Sequence, residues 1–203
     1  MEHTEVVRRR RMVRAYRDEP LPEGTADRLV RAALRAPSAG FSQGWGFLVL
    51  DERDDRARFW DAIDAPDWSY PAEIRVAPLV IVTLSNKSVY LDRYAEPDKG
   101  WDDRSEEHWP APYWDIDTGM AALLILLGAV DLGLGALFFG FAPERIDPFR
   151  AAFDVPAEFN PIGAVSVGYP VEQAARVGSA FTRRRRPVGD VVHHGRFGRP
   201  WES

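Results

Sequence analysis

The most constraining feature of this sequence is a run of apolar residues that extends over positions 119–130 and stops at Asp131. The run is shorter than the ~20 residues needed to cross a bilayer, so it predicts a core helix and no membrane span. We expect this helix to begin at Asp115 and to end near Leu132, where Gly133 follows. Because the helix is apolar on nearly all sides, it belongs at the centre of the core or in a subunit interface.

Shorter stretches on both sides of this helix show helical or strand periodicity, but they do not alternate as strict βαβ units. The sequence therefore predicts an α+β fold, built as a three-layer α/β/α sandwich. The predicted helices cover residues 5–16, 22 or 25 to 36, 54–63 and 143–153. The predicted strands cover residues 45–50, 79–84, 136–139 and 162–168.

Chain length indicates one domain over residues 1–203. At ~100 to 200 residues per domain little is left for a second one, and no repeat or low-complexity linker divides the chain. Residues 86–114 form a polar insert, and a structureless segment of that length is typically a lid or a binding loop. Residues 171–203 form an extended C-terminal tail, which we expect to be exchanged between subunits.

Composition excludes several kinds of chemistry. The chain has no cysteine, so redox chemistry requires a bound cofactor. Its four histidines lack the spacing of a metal site, and we expect no metal. The basic N-terminus is not followed by the apolar stretch of a secretory signal, so we expect a cytoplasmic location.

Positive charge is concentrated at the two ends of the chain. Residues 1–20 and 176–203 together carry thirteen arginines against six acids, whereas the middle of the chain is strongly acidic. This distribution disfavours a nucleic-acid surface and favours a small anion. Arg10 and Arg14 are four residues apart, so on the predicted first helix both project from one face, where guanidinium groups can bind a phosphate. A solvated basic face is the alternative.

The loop after the second predicted helix has the sequence APSAGFSQGW and is rich in small residues. Ser38, Ala39 and Gly40 leave room for a ligand to approach the backbone, and the amide of Gln43 offers both a donor and an acceptor. An ordinary turn between a helix and a strand is the alternative.

Five motifs occur in a fixed order: RR-M-V-R, then P-S-A-G-x-x-Q-x-W, then D-x-G-x-A-x-x-x-x-L-L-x-A leading to G-L-G, then P-I-G-x-x-x-x-G-Y-P, and a closing R-x-R-x-P. In this order and spacing the chain resembles the FMN-dependent nitroreductase family over about residues 8–198. The resemblance implies the sandwich fold of that family, FMN as cofactor, NADH or NADPH as electron donor, and a homodimer with the flavin at its interface.

The resemblance also assigns site residues by position. The FMN phosphate and ribityl chain are expected at Arg10, Arg11, Met12 and Arg14. The isoalloxazine ring and the ribityl chain are expected at Pro37, Ser38, Ala39, Phe41 and Gln43. The N5 edge of the flavin is expected at the backbone of Phe138, Phe139 and Gly140, with an N–H near Phe139 donating to N5. Arg183 and Arg185 are expected to reach the phosphate.

Three positions depart from the family pattern. Met12 replaces the usual serine and Phe41 the usual asparagine, so two polar contacts are lost. Gly44 replaces the usual proline before Trp45. These changes predict flavin contacts that differ from those of other members.

The implied reaction is hydride transfer from NADH or NADPH through the flavin to a nitroaromatic, a quinone or a similar small acceptor, with no certain catalytic side chain. The alternatives are a dedicated biosynthetic flavin oxidase or dehydrogenase of the same fold and a non-catalytic flavin-binding protein. Within the insert, Trp109, Tyr113 and Trp114 are candidates for stacking on substrate. Packing in the core is the alternative for these rings, and it is favoured for Trp114.

Overall fold

The central apolar run forms the longest helix of the computed structural model, which describes residues 1–171 and 182–201. The chain divides into two compact units, Met1–Val171 and Glu172–Ser203. The helices are α1 (His3–Arg9), α2 (Thr25–Ala33), α3 (Arg53–Ile63), α4 (Ala72–Arg75), α5 (Lys87–Tyr94), α6 (Tyr113–Asp131) and α7 (Ile146–Phe153). The strands are β1 (Trp45–Leu50), β2 (Leu79–Asn86), β3 (Gly135–Phe139) and β4 (Phe159–Gly168).

The four strands form one antiparallel sheet in the order β1-β2-β4-β3. Successive side chains of a strand point to opposite faces, and both faces of this sheet are covered. On one face Ile81 and Val165 join the buried cluster of α2 and α6, and on the other Val82 and Ala164 join the cluster of α3 and α7. The predicted α+β fold with three layers is confirmed.

Among the described residues, α6 is the one helix long and apolar enough to cross a membrane by length and composition alone. One side of it is buried against α2 and the sheet through residues such as Ala122, Ile125 and Ala129. The prediction of a core helix is confirmed. The helix begins two residues before Asp115, and Gly133 follows its end with a φ of 75°.

The first helix is shorter than predicted, because α1 ends at Arg9 and the following residues are extended. Met12 pairs with Ala136 at the free edge of β3, and the Val13 N–H donates to the Ala136 carbonyl at 2.9 Å. Pairing with the sheet and burial of Tyr16 outweigh the helical propensity of this stretch. The predicted placement of Arg10 and Arg14 on one helical face is therefore wrong.

The insert at residues 86–114 is not the structureless segment that the sequence predicts. It contains α5 and a 3-10 turn at Glu106–His108. The Asn86 side chain accepts a hydrogen bond from the Ser88 N–H at 3.0 Å and so caps the start of α5. The aromatic rings of the insert pack on one another and give the segment a small core of its own. Apolar periodicity in the sequence does not indicate this core.

The C-terminal unit is described over residues 182–201. It contains a 3-10 turn at Val188–Asp190 and a bridge between His193 and Pro200. The ring centroids of His193 and Phe197 are 4.2 Å apart, which closes a small turn. Exchange of this tail between subunits stays a prediction, and residues 172–181 and 202–203 of it lie outside the described residues.

Candidate functional site

The loop of small residues after α2 has an unusual backbone. Gly40, Phe41 and Gln43 all have positive φ, at 60°, 55° and 55°. Such φ values are unfavourable for residues with a side chain and persist only where the surroundings impose them. The result is a segment, residues 38–43, in which Gln43 is exposed and Phe41 has an exposed fraction of 75%.

Hydrogen bonds to side chains impose this conformation. The Gln43 N–H donates to Ser38 Oγ at 2.8 Å, and the Ala39 N–H donates to Asp117 Oδ2 at 2.8 Å. The Tyr90 hydroxyl donates to the same Asp117 oxygen at 2.8 Å. Burial is the main cause that raises the pKa of Tyr90, so the phenol stays protonated and keeps donating.

Two glycines allow the 38–43 segment to approach α5 closely. A Cβ at Gly40 would lie 2.6 Å from the ring of Tyr94, and a Cβ at Gly44 would lie 2.6 Å from both the Asn86 carbonyl oxygen and the ring of Tyr90. Gly44, one of the three departures from the family pattern, therefore occupies a position without room for a side chain in this chain.

The extended segment before Tyr16 carries three guanidinium groups, those of Arg10, Arg11 and Arg14. Among the described residues, no carboxylate lies within ion-pair distance of Arg10, Arg11 or Arg14. Their neighbours are paired: Arg8 contacts Glu5 at 2.7 Å, and Arg17 contacts Glu19 at 3.0 Å. This unpaired set, which we call the arginine segment, is a phosphate-binding candidate because guanidinium donors match phosphate geometry.

Met12 lies in the middle of the arginine segment but is half-buried and packs against both core clusters. A serine there would not fill the same space. The Met12 side chain is thus a packing residue in this structure. Its assigned role in cofactor binding stays a prediction.

The start of β3 lies beside the arginine segment through the pairing of Met12 with Ala136. Phe138 packs against the cluster of α2 and α6, whereas Phe139 is buried on the other face and stacks on Trp60 with ring centroids 5.5 Å apart. The carbonyl of Gly140 accepts a hydrogen bond from the Tyr70 hydroxyl. Sequence reasoning missed Tyr70, because its partner is 70 residues away in the chain.

Four of the five motifs have residues within or packed against one buried cluster, whereas the closing R-x-R-x-P lies in the C-terminal unit. Met12 and Phe138 pack against the buried cluster that contains Ala36, directly before Pro37. Arg183 and Arg185 belong to the C-terminal unit, where both side chains are exposed. Their role at the phosphate stays a prediction.

The three aromatic candidates of the insert form part of a ring cluster. The centroid of the Trp109 ring is 4.5 Å from that of Tyr94, 5.6 Å from that of Tyr113 and 6.0 Å from that of Trp114. The indole N–H of Trp109 is buried and has no hydrogen-bond partner among the described residues. Stacking of these rings on a substrate stays a prediction.

No group of three or more potential metal ligands is brought together among residues 1–171 and 182–201. The residues assigned to the candidate site offer guanidinium groups, backbone amides, a side-chain amide and aromatic rings.

The family of this protein follows from its sequence. The profile of the nitroreductase family matches residues 7–169. The chain therefore belongs to the nitroreductase family, and it is an oxidoreductase. The resemblance given by the motifs is confirmed.

Individual relatives support the same assignment. A protein of Thermus thermophilus named NADH dehydrogenase is 29% identical over 202 residues, covering 91% of each chain. A Staphylococcus aureus protein named NADPH-dependent oxidoreductase is 23% identical, covering 95% of this chain and 72% of the relative. The solved FMN-dependent nitroreductase of Clostridium difficile R20291 shares the fold with a TM-score of 0.67 at 21% identity, covering 95% of this chain and 98% of that one.

Proposed function

We propose that the protein is an FMN-dependent oxidoreductase that uses NADH or NADPH to reduce a nitroaromatic, a quinone or a similar small acceptor. Membership in the nitroreductase family supports the reaction class. The names of the relatives support both nicotinamide donors, and the name of the structural neighbour supports FMN. A chain without cysteine needs such a cofactor to carry electrons.

The observation that carries the proposal is the arginine segment. Its guanidinium groups have no carboxylate partner among the described residues, although the chain contains 31 acidic residues. Three cations close together along one extended segment create a positive potential that attracts an anion. The chemistry of these donors fits the phosphate of FMN.

Other residues assigned to the site fit the rest of the cofactor. Bound FMN would supply hydride transfer between the nicotinamide donor and the acceptor. The amide of Gln43 and the exposed ring of Phe41 offer a polar and an apolar contact to a flavin ring. The backbone at Phe139 is proposed to meet the N5 edge, and Arg183 and Arg185 to add contacts to the phosphate.

We further propose a homodimer with the flavin at its interface, in a cytoplasmic location. The side of α6 that does not pack on α2 exposes large apolar residues, with exposed fractions of 43% for Ile116 and 46% for Leu123. Exposed apolar patches of this kind mark protein interfaces. Sedimentation velocity is expected to show a dimer that Leu123→Glu converts to a monomer, and a monomeric parent protein would refute this part.

The experiment that tests the function is a visible absorption spectrum of the purified protein after addition of FMN, followed by anaerobic addition of NADH or NADPH. Flavin bands that bleach with either donor and return with a nitroaromatic or a quinone support the proposal. Bound flavin that neither donor bleaches would favour the non-catalytic alternative suggested by Met12 and Phe41. A protein that takes up no FMN would refute both.

A further inference from the structure

A buried carboxylate lies behind the 38–43 segment and has no part in the function proposed above. Asp117 has an exposed fraction of 1% and lies near the start of α6. Burying a carboxylate is costly unless hydrogen bonds compensate for the lost water. The partners of Asp117 therefore show what the residue contributes.

One oxygen of Asp117 receives two donors, from the Ala39 backbone N–H and from the Tyr90 hydroxyl, each at 2.8 Å. Hydrogen bonds to an ionised acceptor are roughly twice as strong as neutral ones. The Tyr90 hydroxyl also lies 3.3 Å from Ser38 Oγ, which in turn accepts the Gln43 N–H. Asp117 thus connects through Tyr90 and Ser38 to both ends of the 38–43 segment.

The segment needs such an anchor because of its backbone. Phe41 and Gln43 have positive φ without being glycine, and this conformation would relax if the hydrogen bonds were removed. Asp117 and Tyr90 are both buried, so the anchor is held by the core while Gln43 and Phe41 stay exposed.

We infer that Asp117 is a positioning residue that, through Tyr90 and Ser38, holds the 38–43 segment in the conformation that presents Gln43 and Phe41 to the flavin. The inference rests on the proposed function for the identity of its ligand. The anchor itself is a property of the chain and is measurable without a cofactor.

The test compares Asp117→Ala and Tyr90→Phe with two controls. Asp117→Asn keeps an oxygen that can accept both hydrogen bonds. Asp115→Asn changes another carboxylate on the same helix. Asp115 accepts a hydrogen bond from the Ser85 hydroxyl at 2.6 Å and does not contact the 38–43 segment. Amide hydrogen exchange of a peptide spanning residues 38–44, measured without FMN, and the FMN dissociation constant are the two readouts.

Exchange in this peptide is expected to be at least tenfold faster in Asp117→Ala and Tyr90→Phe, and the FMN dissociation constant at least tenfold higher. Exchange in α7, which is remote from the anchor, is expected to be unchanged. Asp117→Asn is expected to stay within about threefold of the parent protein on both readouts, since rescue by an oxygen acceptor separates hydrogen bonding from charge. Asp115→Asn is expected to match the parent.

Unchanged exchange and unchanged FMN affinity in Tyr90→Phe and Asp117→Ala would overturn the inference. If Asp117→Ala does not fold, Tyr90→Phe decides the outcome alone, because it removes one oxygen and keeps the buried ring. A parent protein that takes up no FMN would refute the proposed function and the ligand named here, and the exchange rates would then still decide whether Asp117 anchors the segment.

Discussion

The two faces of the sheet are packed by different kinds of residue. The face of α3 and α7 is built from aromatic rings that contact one another edge to face, with Phe59 6.1 Å from Phe149 and 5.0 Å from Trp60 between centroids. The buried residues on the face of α2 and α6 are all aliphatic, and six of them are alanines, among them Ala33, Ala121 and Ala129.

This difference separates stability from function. Interlocking rings bury a large apolar area on the face of α3 and α7. Small side chains let α6 approach the sheet closely, and the start of the same helix supplies Asp117 to the 38–43 segment. We therefore expect the aromatic face to determine stability and the face of α2 and α6 to determine cofactor binding.

The largest effect is expected from Phe149→Ala on the aromatic face. Phe149 is fully buried, so its removal is expected to lower the free energy of unfolding by about 3–5 kcal/mol. Chemical denaturation measures this loss. Phe153→Ala, which truncates a half-buried ring of the same helix, is the control and is expected to cost less. The fraction that stays folded is expected to bind FMN with the parent affinity.

Next in size are Arg10→Ala and Arg14→Ala. Hydrogen bonds to a charged group contribute about 1.5–3 kcal/mol, so each change is expected to raise the FMN dissociation constant at least tenfold. The free energy of unfolding without FMN is expected to stay the same, because neither guanidinium has a carboxylate partner among the described residues. Fluorescence titration with FMN gives the affinity. Equal affinities in the parent and both variants would mean that the phosphate binds elsewhere.

Gly44→Ala is expected to lower both the stability of the protein and its FMN affinity moderately. The new Cβ would lie 2.6 Å from the Asn86 carbonyl oxygen, a backbone atom that cannot move without disturbing β2. We expect a loss of about 1–3 kcal/mol in the free energy of unfolding, as for other overpacked sites, and weaker FMN binding. Thermal and chemical denaturation with and without FMN measure the two effects. An unchanged midpoint would show that the close approach is not needed.

The smallest effect is expected from Arg31→Ala on the exposed side of α2. Arg31 pairs with Asp27 at 2.7 Å, and both side chains are mostly exposed. Exposed pairs of this spacing contribute about 0.3–0.5 kcal/mol, and FMN affinity is expected to be unchanged. This variant serves as the charge-matched control for Arg10→Ala and Arg14→Ala. An FMN affinity that falls as far as in those variants would show that net charge, and not position, determines binding.

Much of the fold is readable from local pattern. Residues 45–50 are predicted as a strand, and β1 has the same bounds, because a short apolar run between turns leaves little choice. The central helix is predicted to within two residues at its start, because its apolar run is too long for a strand.

The sequence predictions are wrong where contacts between residues far apart in the chain determine the local structure. The first helix ends early because Met12 pairs with Ala136, more than a hundred residues away. The insert is ordered because Tyr94 and Trp109 pack together, although its acidic composition indicates a loop. The Asp117 anchor joins residues 78 apart in the chain, and no local pattern announces that contact.

The separation of the two faces is tested by comparing FMN affinity and the free energy of unfolding in two variants: the double variant Arg10→Ala/Arg14→Ala, and Phe149→Leu. The arginine double variant is expected to lose FMN affinity at least tenfold and to keep its stability. Phe149→Leu is expected to lose stability and to keep its FMN affinity. Loss of both properties together in either variant would contradict the separation of the two faces.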